Sequence, residues 1–142
     1  MTTRLLKAKD VFIAYYMDEL SGFNIASYID DENDWAWGLF DKDEHLIGYC
    51  TIGCADDCCD TITKHPMYNS ESLLLDNVFI LPEYRDTNIA IRMINDAVIG
   101  RWRHDGFTAS VFLSYVTPVI KNRYELAGFK RIENSNCMVL CP

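Results

Sequence analysis

The sequence has no apolar run near the roughly 20 residues of a membrane-spanning helix; the run Val11 to Met17 is closed by Asp18 and Glu19, with no small-residue cleavage site. Internal repeats, low-complexity tracts and Pro/Gly/Ser linkers are absent, and the four prolines stand where elements should begin or end. These absences predict one domain over residues 1–142, cytoplasmic and not bound to a membrane. Positive charge is also short, with 13 Lys and Arg against 21 Asp and Glu and a net charge of −8. The deficit lies in residues 1–70, which hold 13 acids and 5 bases, whereas residues 71–142 hold 8 of each. Nucleic acid, which calls for a basic stripe to neutralise phosphates, is therefore not an expected partner.

The six cysteines, Cys50, Cys54, Cys58, Cys59, Cys137 and Cys141, include no CxxC pair, and no histidine stands at zinc-finger spacing. Four of them fit strand interiors or strand ends. Cys58 and Cys59 are adjacent in a loop with Asp56, Asp57, Asp60 and His65, so the expectation is reduced thiols and no metal, with a metal or redox centre on Cys54, Cys58 and Cys59 as the rival reading. Neither His45, His65 nor His104 has a Ser or Cys partner in a recognisable nucleophile motif.

What is present is ample core material: 49% of residues are hydrophobic and 13% aromatic. A chain of this length hides roughly two-thirds of its unfolded surface, so it needs no disulfide or metal to fold. Arg4 to Lys7 suits a short strand, and Asp10 a helix N-cap before Val11, Phe12, Tyr15, Tyr16 and Leu20, which recur at helical spacing up to Gly22. Trp35 to Phe40 and His45 to Cys54 alternate about the turn-rich DKDE, which predicts an antiparallel hairpin. A long loop, Ala55 to Glu71, precedes the apolar run SLLLDNVFI over 72–80, which predicts a central strand covered on both faces. Ile89, Met93, Ile94, Ala97, Val98 and Trp102 form one helical face ending before Gly106. A buried strand over Phe107 to Leu113, a helix from Thr117-Pro118 to Ala127 closed by Gly128, the strand FKRIE and a last strand near 137–141 follow. This order predicts an α/β fold, a mixed and mostly antiparallel sheet with helices on both faces.

The chemistry concentrates in VFILPEYRDTNIAIRMINDAVI, where a buried strand turns through Pro82 into a helix. First-turn amides of such a helix are free, the positive end of its dipole points at the turn, and Arg85 adds a full charge, which together suit a pyrophosphate. The segment Ile80, Leu81, Pro82, Glu83, Tyr84, Arg85, Asp86, Thr87, Asn88, Ile89, Ala90 resembles the V-x-P-x-x-R/Q-x-x-G-x-G/A signature of the GNAT superfamily of acetyl-CoA-dependent N-acetyltransferases. Downstream, Tyr124, Glu125, Leu126, Ala127, Gly128 and Phe129 match that superfamily's Y-E-x-x-G-F signature. The resemblance covers residues 72–133.

The resemblance implies a GNAT-like fold with a splayed strand pair that receives the cosubstrate, acetyl-CoA. It implies that Arg85, Asp86, Thr87, Asn88, Ile89 and Ala90 hold the CoA pyrophosphate through backbone amides, that Phe79, Ile80 and Leu81 bond the pantetheine arm and acetyl carbonyl, and that Thr117 takes the place of a pantetheine-contacting Asn. Tyr124 would be the general acid for the departing thiolate and Asp76 the base that removes the amine proton. Asp76 is expected on one face with Leu74, Val78 and Ile80, where burial would raise its pKa; a splay-capping role and a solvent-facing place at a bulge remain open for it.

Asn88 stands where the superfamily has a glycine for positive φ, and Asp86 brings negative charge into the loop. A non-catalytic CoA-binding or protein-interaction module is therefore the rival to acetyl transfer onto a primary amine. The acceptor is expected to be a cationic small molecule or peptide, drawn by Asp30, Asp31, Glu32 and Asp34 together with Asp56, Asp57 and Asp60. A homodimer is left open by the sequence.

Overall fold

The computed structural model of the protein describes residues 1–32, 35–56, 58–85, 88–106, 108–114, 116 and 123–142, with the Asp105 side chain left aside. Thr2–Leu5 forms β1, Val11–Ser21 α1, Ala36–Phe40 β2, Leu46–Cys54 β3, Asp60–Thr63 α2, Leu73–Ile80 β4, Ile89–Asp105 α3, Val111–Leu113 β5, Lys130–Arg131 β6 and Met138–Leu140 β7. One seven-stranded sheet runs β1-β2-β3-β4-β5-β7-β6, and the apolar run of the sequence is its central strand. Every pairing is antiparallel except β4 with β5, the expected mixed sheet. Residues 123–126 are helical, while the rest of the helix expected from Thr117 lies outside the described residues.

Alternation along the strands separates two apolar layers. On one face α3 buries Met93, Ile94, Ala97 and Val98 against Trp37, Leu39, Ile52, Leu73, Leu75, Val111 and Leu113. Gly100 is what lets α3 lie so close, because a Cβ there would stand 2.5 Å from the Trp37 ring. Gly106, at φ 80°, takes the left-handed C-cap position that the sequence predicts for it. On the other face one cluster gathers Leu6, Met17, Ile25, Phe40 and Tyr49, and a second gathers Ala55, Ile62, Phe112 and Val139. The long loop is therefore anchored by its own helix α2, through the fully buried Ile62.

Helix α1 departs from the sequence reading in which face it buries. Ala14, Met17 and Asp18 are inside, whereas Phe12, Tyr15, Tyr16 and Leu20 are exposed, Phe12 at 88%. Asp10 occupies the N-cap position without a side-chain bond to the helix; its carboxylate instead accepts from the Lys7 N–H (2.9 Å) and is gripped by Arg4 at 2.9 and 3.1 Å. Burial pushes the Asp10 carboxyl up, but the hydrogen bonds from Arg4 and Lys7 and the Arg4 charge outweigh it, and its pKa lies below the usual value.

The reason α1 turns Asp18 inward is a set of donors waiting there. Its carboxylate accepts from the N–H groups of Ile25 (3.1 Å) and Ala26 (2.9 Å) and from the Tyr49 hydroxyl (2.7 Å). Ser21 Oγ lies 2.5 Å from the same hydroxyl and accepts from the Phe23 N–H at 3.1 Å, so the chain leaving α1 is tied down over residues 21–26. No helix among the described residues is long and apolar enough to cross a membrane. Replacing Asp18 by Ala strands the buried N–H groups of Ile25 and Ala26, leaves the Tyr49 hydroxyl only its Ser21 partner, and should lower the unfolding free energy by about 3 kcal/mol with an unchanged m-value. Chemical denaturation checks this, and a loss below about 0.5 kcal/mol would show that water takes over the donors.

Candidate active site

Strand β4 is interrupted at Asp76 and Asn77. Thr51 of β3 faces Asp76 and Tyr49 faces Phe79, so two steps on β3 match three on β4, and Asn77 sits at φ 51° in the left-handed region. This is a β-bulge. Thr51 pins it: its hydroxyl donates to the Asp76 carbonyl (3.1 Å) and accepts from the Asn77 amide (3.2 Å), while the Asn77 N–H donates to the Asp76 carboxylate at 2.8 Å.

The extra residue exchanges the faces of the strand, since side chains alternate with period two. Leu73 and Leu75 pack in the α3 layer before the bulge, and Val78 and Ile80 pack there after it. Leu74 belongs to the opposite layer, as does Phe79. The expected shared face of Leu74, Asp76, Val78 and Ile80 is thus corrected. Asp76 is exposed, not buried, and the solvent-facing bulge is the reading that holds.

Past the bulge β4 also has no paired neighbour on this side among the described residues. Its parallel pairing with β5 covers only Leu73 with Val111 and Leu74 with Phe112, and β5 ends at Leu113 while β4 continues to Ile80. The expected splay is therefore present, and Tyr124 stands in it. One cavity of about 200 Å³ lies between Val78, Ile80, Arg85, Ala90, Ile94, Arg123 and Tyr124. A second, of about 160 Å³, lies between Phe23, Asp76, Asn77, Val78, Leu113, Ser114, Val116 and Tyr124. Val78 and Tyr124 belong to both. Tyr124 packs edge-on to Phe129, the aromatic of its own motif, at 6.0 Å. Burial pushes the Tyr124 phenol up to about 12, and the neighbouring Cys50 and Asp76 add to the rise. At neutral pH it holds its proton and can give one away.

The first cavity opens at the turn that leads into α3. Arg85 is exposed there; its Nε donates to the Ile80 carbonyl at 2.8 Å and its guanidinium lies 5.1 Å from the Phe79 ring. Across the splay the Arg123 guanidinium donates to the Arg85 carbonyl at 3.1 Å, which holds the Tyr124 segment to the mouth of this cavity. Asn88 begins α3 at φ −78°, so the positive φ that a glycine would serve is not adopted here. The Leu81 N–H donates to the Ile47 carbonyl at 2.9 Å, which leaves it no proton for a ligand. By strand alternation the peptide groups of Val78 and Ile80 face the open edge, so Val78 replaces Leu81 among backbone groups available there. Asp86, Thr87 and Thr117 lie outside the described residues, as do Asp34 and Asp57.

Of the residues named from sequence, Tyr124, Asp76, Ile80, Arg85 and Ala90 come together here; Ile89 packs on the α3 layer, and the Phe79 side chain points into the opposite one beside Phe23 and Tyr49. Sequence reasoning missed Val78, Phe23, Thr51 and Arg123; only Arg123 carried a signal, being next to the motif tyrosine. Cys54, Cys58, Cys59 and His65 do not form a three-donor set. Among the described residues the group close enough to share an ion is Asp41, Asp43 and His45, at the β2–β3 turn, where the Asp41 carboxylate already accepts from the N–H groups of Asp43 (2.8 Å) and His45 (2.9 Å).

No protein-family model and no curated protein matches the sequence. Solved structures do match in fold. Arabidopsis thaliana NAA60 in complex with a bisubstrate analogue superposes with a TM-score of 0.68 at 18% identity, over 98% of this chain and 96% of that one. Aminoglycoside N-acetyltransferase AAC(6')-Iy in complex with CoA gives a TM-score of 0.68 at 15% identity, over 94% of each chain. A spermidine N-acetyltransferase SpeG chimera from Vibrio cholerae and hSSAT gives 0.63 at 16%, over 99% of this chain and 96% of that one. The chain has the GNAT fold.

The bulge carries its own test. A β-branched residue at the left-handed position is strained, so Asn77→Val should destabilise the protein by about 1–2 kcal/mol, whereas Asn77→Gly should be tolerated. Denaturation midpoints of the two variants decide; equal values would mean that the backbone relaxes and the bulge is not held at Asn77.

Proposed function

We propose that this chain is an acetyl-CoA-dependent N-acetyltransferase acting on a cationic primary amine, by direct attack of the amine on the thioester in a ternary complex. The observation that carries the reading is one side chain, Tyr124, standing in the splay between β4 and β5 with a cavity on either side of it. The cavity toward α3, with Arg85, Arg123 and the first turn of the helix at its mouth, fits the anionic cosubstrate. The cavity with Asp76 and Phe23 fits the amine. Support comes also from the fold, shared with structures whose names specify acetyl transfer to an aminoglycoside and to spermidine and one of which was solved with CoA.

Acetyl-CoA supplies an activated acyl group, and the remaining roles fall to the protein. The open-edge peptide groups of Val78 and Ile80 position the pantetheine arm and the acetyl carbonyl. Asp76, exposed and held by the Asn77 N–H, takes the amine proton directly or through water. Tyr124 protonates the departing thiolate, and its raised pKa keeps that proton available at working pH. Arg85 and Arg123 bind the pyrophosphate end by charge-assisted hydrogen bonds. Asn88, at φ −78°, carries no left-handed strain at the position where a glycine would stand. Attraction of the cation rests on the exposed Asp30, Asp31 and Glu32 and on the −8 charge of residues 1–70, effective over about 8 Å at physiological salt.

Tyr124→Phe should lower kcat by about 10²- to 10⁴-fold while leaving acetyl-CoA affinity, measured by calorimetry, nearly intact. In the parent enzyme the alkaline limb of the kcat profile should not fall near pH 10, because the acid is lost only as pH approaches about 12. Unchanged turnover in the variant would make Tyr124 a packing residue, and no heat with millimolar acetyl-CoA would remove the enzyme reading altogether. For the acceptor, KM of a polyamine should rise with added salt and again in the triple variant Asp30→Asn, Asp31→Asn, Glu32→Gln. Preference for neutral or acidic amines with no salt dependence would show the acidic half to be solvated surface only.

A further inference from the structure

Away from Tyr124, the segment between β3 and β4 carries a second arrangement of reactive groups. Cys59, at the start of α2, places its Sγ 3.8 Å from the Sγ of Cys137, a residue 78 positions away that leads into β7. Cys59 is exposed and Cys137 is buried. Both line a cavity of about 560 Å³ that also touches Cys58, Ser114 and Ser135. Neither side of the pair is loose. The Ala55 N–H donates to the Ser72 carbonyl at 3.0 Å and Ile62 is fully buried, while Met138 and Val139, next to Cys137, are paired to β5.

We propose that Cys59 and Cys137 are a reversible disulfide-forming site, oxidised by a hydroperoxide and reduced by thiols. Disulfide sulfurs sit about 2.05 Å apart, so the pair has to close by about 1.8 Å, and the adjoining cavity leaves room for side-chain rotation on both sides. Burial pushes the Cys137 thiol up to about 11, with its contact to Cys59 acting in the same direction. Cys137 therefore keeps its proton, and the exposed Cys59 is the attacking group. Cys59 as thiolate attacks one peroxide oxygen, the O–O bond breaks, and the other oxygen leaves with a proton, as water from hydrogen peroxide; Cys59 is now a sulfenic acid. Cys137 Sγ then attacks the Cys59 sulfur. The S–O bond breaks, the hydroxide leaves with the Cys137 proton as a second water, and two thiols have been oxidised as one peroxide is reduced. The closed bond ties the β3–β4 segment to β7.

The test uses the full chain, reduced and then treated with equimolar hydrogen peroxide, alkylated and mapped by peptide mass. A Cys59–Cys137 cross-linked peptide is expected, two hydrogens lighter than its parts and lost on treatment with dithiothreitol. The oxidised protein should melt about 10 °C higher than the reduced one, as closing a loop of this length implies. Cys59→Ser, an exposed substitution that leaves the core intact, should abolish both changes, and Cys58→Ser should leave both in place. The proposal is overturned if peroxide leaves Cys59 as a sulfinic acid, if the bond formed involves Cys58, or if the thiols do not react.

Discussion

The extra residue in β4 is the constraint on which the site depends. A strand with period-two alternation that stayed paired on both edges would leave no opening at the centre of the sheet. Here the bulge at Asn77 and the short reach of β5 act together. The bulge moves Val78 and Ile80 into the layer that α3 and Tyr124 occupy, and among the described residues no strand pairs with this edge of β4 beyond Leu74. On that edge the Ile80 carbonyl is met by the Arg85 guanidinium rather than by a strand. Two bonds of the Thr51 hydroxyl and one of the Asp76 carboxylate keep the bulge in place, which makes a residue with no chemistry of its own part of the site's construction.

Electrostatics divides the same opening into two ends. Arg85 and Arg123 stand on the α3 side and are joined through the Arg85 carbonyl, so cationic groups are gathered where the helix begins. Asp76 stands on the other side, and Tyr124 separates the two. A phenol half-buried between them keeps its proton because burial penalises the phenolate and a neighbouring carboxylate penalises it further. The arrangement suits an anion entering from one end and a cation from the other, with a proton donor where they meet.

Helix α1 shows how polar satisfaction can override apolar pattern. Its aromatic stripe would bury more surface than Ala14 and Met17, yet Asp18 faces inward to serve the N–H groups of Ile25 and Ala26 and the Tyr49 hydroxyl. Asp18 meets three donors there, and Phe12, Tyr15, Tyr16 and Leu20 remain exposed. The same network fixes the segment from Ser21 to Ala26 and so delivers Phe23 to the cavity that Asp76 and Tyr124 line.

Local rules in the sequence carried the element order a long way. Alternation placed the β2–β3 hairpin and periodicity placed α3. Gly106 and Gly128 adopt positive φ, at 80° and 96°, each just after a helical segment. Two motifs in the right order pointed to Arg85 and Tyr124. Those signals are legible because each depends on neighbours within a few residues. Which way Asp76 faces, whether Leu81 has a free N–H, which face of α1 is buried and that Cys59 meets Cys137 were decided only by the tertiary structure. Each depends on a partner distant in the chain: Thr51 and Tyr49 for the bulge, Ile47 for the Leu81 amide, Ile25, Ala26 and Tyr49 for Asp18, and a sheet register that brings positions 59 and 137 together. A one-residue insertion in a strand leaves no mark in composition or periodicity, yet it exchanges the faces of every side chain beyond it.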